Sequence, residues 1–409
     1  MKYLFFLLIV PSLCFSTLEV GVGQVPITPP LKSYSAGSFE REGGLESVHD
    51  PLFATAVVIR NETTCIALCS VDHLGFPHDM VEQVKQRVHA QKKGAQCEIY
   101  INSTHTHSGS GGYLNIGEMG EMIAGPYNPA IVQSTVEATA EAILKAAHHL
   151  QPAKIGLGYG TVDDLTTYAG VYPTDLAPPT DLMVMKVTTL EGSPLAAIFH
   201  YSLYPDLLTF GNESNLVFSA DVVGYVRDHV QEMIGQGVVP LFLNGPKAEL
   251  QAHLPHPDPF QSCDQIGKKL AEGVSTLWKS IVPEKTLEIS TFHDIYTFYP
   301  QPTPGGYLIP LPPTPTEMHL IVFNKHYAWA TIPADLSCSY AAIFKKHAQN
   351  WGFKQLSILD ITNDAHGYVY SPMSWRLKPA EVEFSWGGEM YGQLIESKLI
   401  SLLDRGHPL

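Results

Sequence analysis

The stretch IYINSTHTHSGSGG, residues 99–112, decides how this chain is read. An apolar run ends at Ser103 and then delivers two imidazoles, His105 and His107, just before a glycine-rich turn. In an extended backbone, residues i and i+2 point to one side, so both rings can converge. Neutral imidazole is the commonest protein ligand for zinc, and a His-x-His leaving a strand supplies two economically. An exposed, hydrogen-bonded pair in a turn would carry the same letters, so other parts of the chain must supply further partners.

Outward from this stretch, the chain alternates strands and helices. Cys65 to Val71 reads as a strand, and Met80 to Ala90 has Val81, Val84 and Val88 at helical spacing. With the strand Glu98 to Ser103 this makes a strand-helix-strand unit, which predicts parallel pairing. Residues 18–30 read as a short first strand leading into a proline turn, and further strands are expected at 52–59, 182–187, 195–199, 239–243, 318–323, 327–332 and 355–361, with helices over 129–150, 218–233, 263–278, 343–349 and 388–403. The expected class is α/β: mixed, largely parallel sheets flanked by helices, in one domain over 17–409, with a metal site at the carboxyl ends of the strands.

Those ends carry the polar residues. One strand stops at Asp72, another at His105 and His107, a third at His200, a fourth at Asn244. A fifth is followed by Asp335, and a sixth by Asn363 to Tyr368. Open α/β sheets place ligands outside the carboxyl ends of their strands. The expected cluster is His105, His200 and Asp335, with His107, Tyr368 and Asn244 near by. Two histidines and a carboxylate make an open zinc site whose bound water ionises near neutrality, chemistry suited to amides and esters. His107 could take the water's proton or donate to the oxyanion. A satisfied core histidine at 200, and helix N-caps at Asp72 and Asp335, remain open alternatives.

Composition narrows the class. Hydrophobic residues make up 45% and charged ones 16%, enough for a large core, and the net charge of −15 disfavours nucleic acid and anionic membrane surfaces as partners. Residues 1–16 read as a secretory leader, with Lys2, the apolar run Tyr3 to Val10 and the small-x-small site Cys14-Phe15-Ser16. An exported chain, secreted or periplasmic, is expected. Five cysteines then remain (Cys65, Cys69, Cys97, Cys263, Cys338), read as buried thiols with at most one disulfide among them. Asn61, Asn102 and Asn212 head formal glycosylation sequons, read as chance matches.

These segments resemble the neutral/alkaline non-lysosomal ceramidases. THTHSGSGG (104–112) is close to the family's Thr-His-Thr-His-Ser-Gly-Pro-Gly-Gly. VGVGQVPITPP (20–30), SVDHLG (70–75), IFH (198–200), FSADVVGY (218–225), IPADLS (332–337) and NDAHGYVY (363–370) follow in the family's order. The resemblance implies a zinc-dependent hydrolase of an amide bond in an N-acyl, ceramide-like lipid. It places the metal on His105, His200, Asp335 and Tyr368, with His107 as catalytic neighbour. The family's Gly-Asp-Val-Ser-Pro segment falls near 244–252, putting Asn244 and Glu249 among the catalytic candidates and Gln251 where the family has serine. Asp335 stands where the family has Glu. The 409 residues leave no room for the C-terminal β-sandwich of full-length ceramidases, so a single-domain relative is expected.

Residues Tyr113, Leu114, Met119, Met122 and Ile123, with the proline-rich loop at 299–316, are candidates to shelter an acyl chain. Two other functions stay open: a metal-binding but inactive ceramidase-like binding protein, and a metal-dependent esterase. The partner expected in each case is a small-molecule or lipid amide (or ester), with no transmembrane segment and at most transient lipid contact.

Overall fold

The structure is a computed structural model that describes residues 18–37, 44–91, 97–169, 177–209, 215–306, 308–377 and 380–408. The leader expected over 1–16 lies outside them. Eight strands form the larger sheet: β1 (Glu19–Pro26), β2 (Phe53–Arg60), β3 (Cys65–Val71), β4 (Glu98–Ser103), β5 (Gln151–Thr161), β6 (Asp181–Thr189), β7 (Pro194–Tyr201) and β8 (Val239–Asn244), in the order β8-β7-β6-β5-β1-β2-β3-β4. The smaller sheet is β9 (Ile289–Phe298), β10 (Thr314–Phe323), β11 (Tyr327–Thr331) and β12 (Gln355–Leu359), in that order.

The helices are α1 (His78–His89), α2 (Gly117–Ala124), α3 (Pro129–His148), α4 (Val222–Ile234), α5 (Pro259–Ser280), α6 (Cys338–Asn350), α7 (Pro372–Leu377) and α8 (Tyr391–Gly406). Sequence cues set several ends. Asn128 and Asp258 accept a hydrogen bond from the second backbone N–H beyond them, each with proline at the first helical position.

Strand parity shows how the layers stack. In β6, Leu182 and Val184 pack with α4 and α5, while Met183, Met185 and Val187 point the other way. That second face meets Ile321, Phe323, Trp329 and Leu359 of the smaller sheet, so the two sheets share an apolar layer. Helices cover both outer faces: α1, α3, α4 and α5 lie on the larger sheet, α8 on β9 and β10. Close approach is built in at β1, where a Cβ on Gly21 or Gly23 would meet the Ala146 or Ala142 carbonyl oxygen of α3 at 1.9 or 2.2 Å. Only glycine fits beneath that helix.

The mixed α/β class and flanking helices are as expected, but the sheets are not largely parallel. In the larger sheet only β3–β4 and β7–β8 run parallel, and the other neighbours are antiparallel. The smaller sheet has one parallel pair, β11–β12. In each parallel pair a crossover containing one helix joins the two strands, whereas tight turns join β2–β3 and β6–β7, and tight turns force antiparallel pairing.

The cysteines divide into the single disulfide that the sequence left open and three buried thiols. Cys65 and Cys97 form a disulfide, their Cα atoms 4.4 Å apart, while Cys69, Cys263 and Cys338 are free and buried. The pair lies at the starts of the neighbouring parallel strands β3 and β4, a proximity that linear spacing does not reveal. No helix among the described residues is long and apolar enough to cross a membrane.

Candidate active site

A cavity of about 660 Å³ opens at the carboxyl ends of β4 and β7, within the size range of small-molecule sites. Its polar end carries His105, His107, Tyr204, Asp335 and Tyr368, and its walls carry Leu74, Leu114, Ile123, Ile361, Phe384 and Trp386. Two segments distant in sequence are tied together here: Asp335–Leu336 pairs in parallel with Tyr368–Val369, setting Asp335 opposite Tyr368.

His105 and His107 converge, their ring centroids 5.1 Å apart. They do so without an extended backbone, since His105 has φ +69°. This left-handed residue costs on the order of 1–3 kcal/mol and is held by its N–H on the His73 carbonyl. The His105 Nδ1 lies 2.7 Å from the Leu74 carbonyl, so Nδ1 carries the proton and Nε2 presents its lone pair. That Nε2 has no hydrogen-bond partner and lies 3.4 Å from Asp335 Oδ2. Burial, with the charges of Lys247 and His107, holds the His105 pKa well below the usual range. The ring is neutral at pH 7, and two acceptors face each other.

The Nδ1 of His107 lies 2.9 Å from the Gly37 carbonyl, which orients the second ring in the same way. The hydroxyls of Tyr204 and Tyr368 are hydrogen-bonded to each other, and burial raises both well above the ordinary phenol range. One hydroxyl must donate to the other, leaving one O–H to donate into the cavity. Behind Asp335 lies Lys247, fully buried, its Nζ 3.1 Å from Asp335 Oδ2 and 4.0 Å from Asp360 Oδ2. Burial raises both carboxyls, against the pull of Lys247.

His105, His107, Asp335 and Tyr368 are therefore brought together; three other expected residues are not. His200 shares the strand parity of Ala196 and Ile198, so its ring points into the layer between the sheets. There its Nε2 meets the Ile358 carbonyl at 2.7 Å, beside Asp181 and Lys345 in a separate cavity of about 200 Å³. Asn244 is a clamp: its Nδ2 donates to the Thr104 carbonyl, and its Oδ1 accepts from the N–H of Leu203 and of Gly245. The Glu249 carboxylate accepts from Cys338 N–H at 2.6 Å and Ser374 Oγ at 2.9 Å, fixing the start of α6 and α7. Gln251 does line the cavity.

Of the five residues named as an acyl shelter, Tyr113 and Leu114 before α2 and Ile123 in its last turn line the cavity. Met122 is half exposed, and none of the described residues of the proline-rich loop reaches the lining. Two residues were missed. Tyr204 follows β7 in a Tyr-Pro turn, and Lys247 lies in the 244–252 segment; a lysine flanked by apolar residues was the available signal.

The zinc that the resemblance implies can be tested against these donors. The set that the resemblance implies is His105, His200, Asp335 and Tyr368, but His200 lies in the intersheet layer. Among the described residues no group of three or more His, Cys, Asp or Glu could hold a metal ion. The ammonium beside Asp335 places a like charge next to any cation bound there. The described residues do not fit the zinc site.

Comparison with known proteins bears on the fold and on the first part of the chain. Residues 18–170 match the family model of the neutral/alkaline non-lysosomal ceramidase N-terminal region. The crystal structure of neutral ceramidase from Pseudomonas aeruginosa superposes with a TM-score of 0.82 at 17% identity, covering 96% of this chain and 75% of that one. A ceramidase complexed with C2 gives 0.82 at 16% identity, covering 96% and 76%. Residues 18–170 thus resemble the N-terminal region of the neutral/alkaline non-lysosomal ceramidases, within a chain that carries the neutral ceramidase fold over nearly its whole length.

Proposed function

We propose that this protein hydrolyses the amide bond of an amphiphilic N-acyl substrate, with ceramide and its simpler analogues as the class to test. The carrying observation is the pair of acceptors, His105 Nε2 and Asp335 Oδ2, 3.4 Å apart at the polar end of an apolar-walled cavity. A water molecule there can give one hydrogen to each acceptor, which aims its oxygen lone pair at a substrate carbonyl carbon.

In this reading His105 Nε2 takes the water's proton as the C–O bond forms. The O–H left by the Tyr204–Tyr368 pair donates to the developing oxyanion. When the C–N bond breaks, His105 returns the proton to the departing amine, releasing a free amine and a fatty acid. His107 beside it favours the neutral form of His105. The apolar wall takes the acyl chain. The family resemblance of residues 18–170 and the fold support an amide-hydrolase reading over ester chemistry.

Export is part of the proposal. The leader-like N-terminus supports it, as does the Cys65–Cys97 disulfide, which persists in oxidising compartments.

The test is fatty-acid release from a panel of N-acyl amides, ceramide included, by purified protein and by His105→Gln. Release that falls at least about 10²-fold in the variant is expected. A panel that binds without turnover would instead favour the inactive binding protein, and turnover confined to esters would favour the esterase.

A further inference from the structure

We infer that Lys247 is the resident cation of this site, a buried ammonium behind Asp335 whose charge disfavours a metal ion bound to the cavity side of that carboxylate. The side chain is wholly shielded from water, yet it reaches no carbonyl and no surface. Its Nζ comes to 3.1 Å from Asp335 Oδ2, the same oxygen that faces His105 Nε2, and to 4.0 Å from Asp360 Oδ2.

The backbone fixes this placement. Lys247 N–H donates to the Leu336 carbonyl at 3.1 Å, while Leu336 N–H donates to Asp360 Oδ2 at 2.8 Å. The lysine and both carboxylates are thus laced onto one short strand. A buried ammonium persists only when paired, and Asp335 and Asp360 are the partners within reach.

The same geometry disfavours a dication. An ion bound to Asp335 Oδ2 would lie within about 5 Å of Nζ, a like-charge contact that weakens binding on the order of a thousandfold or more. Tyr204 adds to the argument, since its phenol is hydrogen-bonded to Tyr368, the other hydroxyl that the implied zinc set would need. Lys247 does not line the cavity, so it is a positioning residue that holds the Asp335 carboxylate in place.

Zinc uptake by the metal-stripped full-length protein tests the inference, read by calorimetric titration and by metal analysis after dialysis. Wild type is expected to retain well under one zinc per chain. Lys247→Met, which keeps the length and removes the charge, is expected to bind zinc at least about 10³-fold more tightly. Should that variant not fold, Lys247→Met combined with Asp360→Asn removes one carboxyl with the ammonium and is read in the same way. Wild type holding one zinc per chain that His105→Ala abolishes would overturn the inference, and so would a folded lysine variant with no gain in affinity. The readout needs no substrate, so it stands or falls apart from the hydrolase reading.

Discussion

His200 offers the cleanest quantitative test of the intersheet layer. Burial lowers its pKa from 6.5 to about 4, with the Ile358 carbonyl, Asp181 and Lys345 as its polar surroundings. Because the folded value lies below the unfolded one, this histidine stabilises the fold above pH 6.5 and loses that contribution as pH falls toward 4. At about 1.36 kcal/mol per pH unit, the gap of about 2.5 units amounts to about 3.4 kcal/mol on the acid side, of which about 2 kcal/mol is reached by pH 5. Glutamine at this position keeps a donor for Ile358 but cannot ionise. Urea unfolding of wild type and His200→Gln at pH 7.5, 6 and 5 isolates the term, since every other titrating group is common to both. The variant should gain about 2 kcal/mol on wild type between pH 7.5 and 5. Stability curves that stay parallel across that range would refute the placement of a neutral imidazole between the sheets.

Three further outcomes follow from other parts of the molecule. Tyr368→Phe and Tyr204→Phe should each lower amide turnover about 10²-fold, and the double variant little further, because the two hydroxyls act as one donor; steady-state kinetics would show it. Gly23→Val drives a Cβ to 2.2 Å from the Ala142 carbonyl and should cost more than about 3 kcal/mol, visible as a falling urea midpoint or insoluble protein. Cys65→Ser, read by thermal melting beside reduced wild type, should cost about 3–4 kcal/mol, the chain-entropy value for a sequence separation of 32.

Much of this architecture was legible because the periodicities are strong. The β3-α1-β4 unit, the amphipathic helix α3 and the β10–β11 hairpin fall where apolar spacing puts them. Strand β5 was missed because Gly156, Gly158 and Gly160 punctuate it; those glycines exist to admit α5 and the residues after it, with Ile281 2.5 Å from where a Gly156 Cβ would sit. Strand β9 was missed too, its polar and half-exposed residues giving only a weak pattern. At the site, motif order led to His105, His107, Asp335 and Tyr368. It failed at His200, where being last but one in a strand mattered less than which face of the pleat the side chain takes. Tyr204 was illegible because its significance lies in what folds against it, and Lys247 offered only the faint signal of a lysine between apolar residues.

The parallel pairing of Asp335–Leu336 with Tyr368–Val369 has a consequence for synthesis. The two imidazoles emerge from the ribosome more than 250 residues before Tyr368, and Asp335 and its lysine follow separately. Any chain halted before residue 368 therefore holds a histidine pair with no carboxylate strand registered against its tyrosine partner. The polar end of the cavity is completed only when the last third of the polypeptide docks, so a copy truncated before residue 368 lacks both the paired hydroxyls and the strand that registers Asp335.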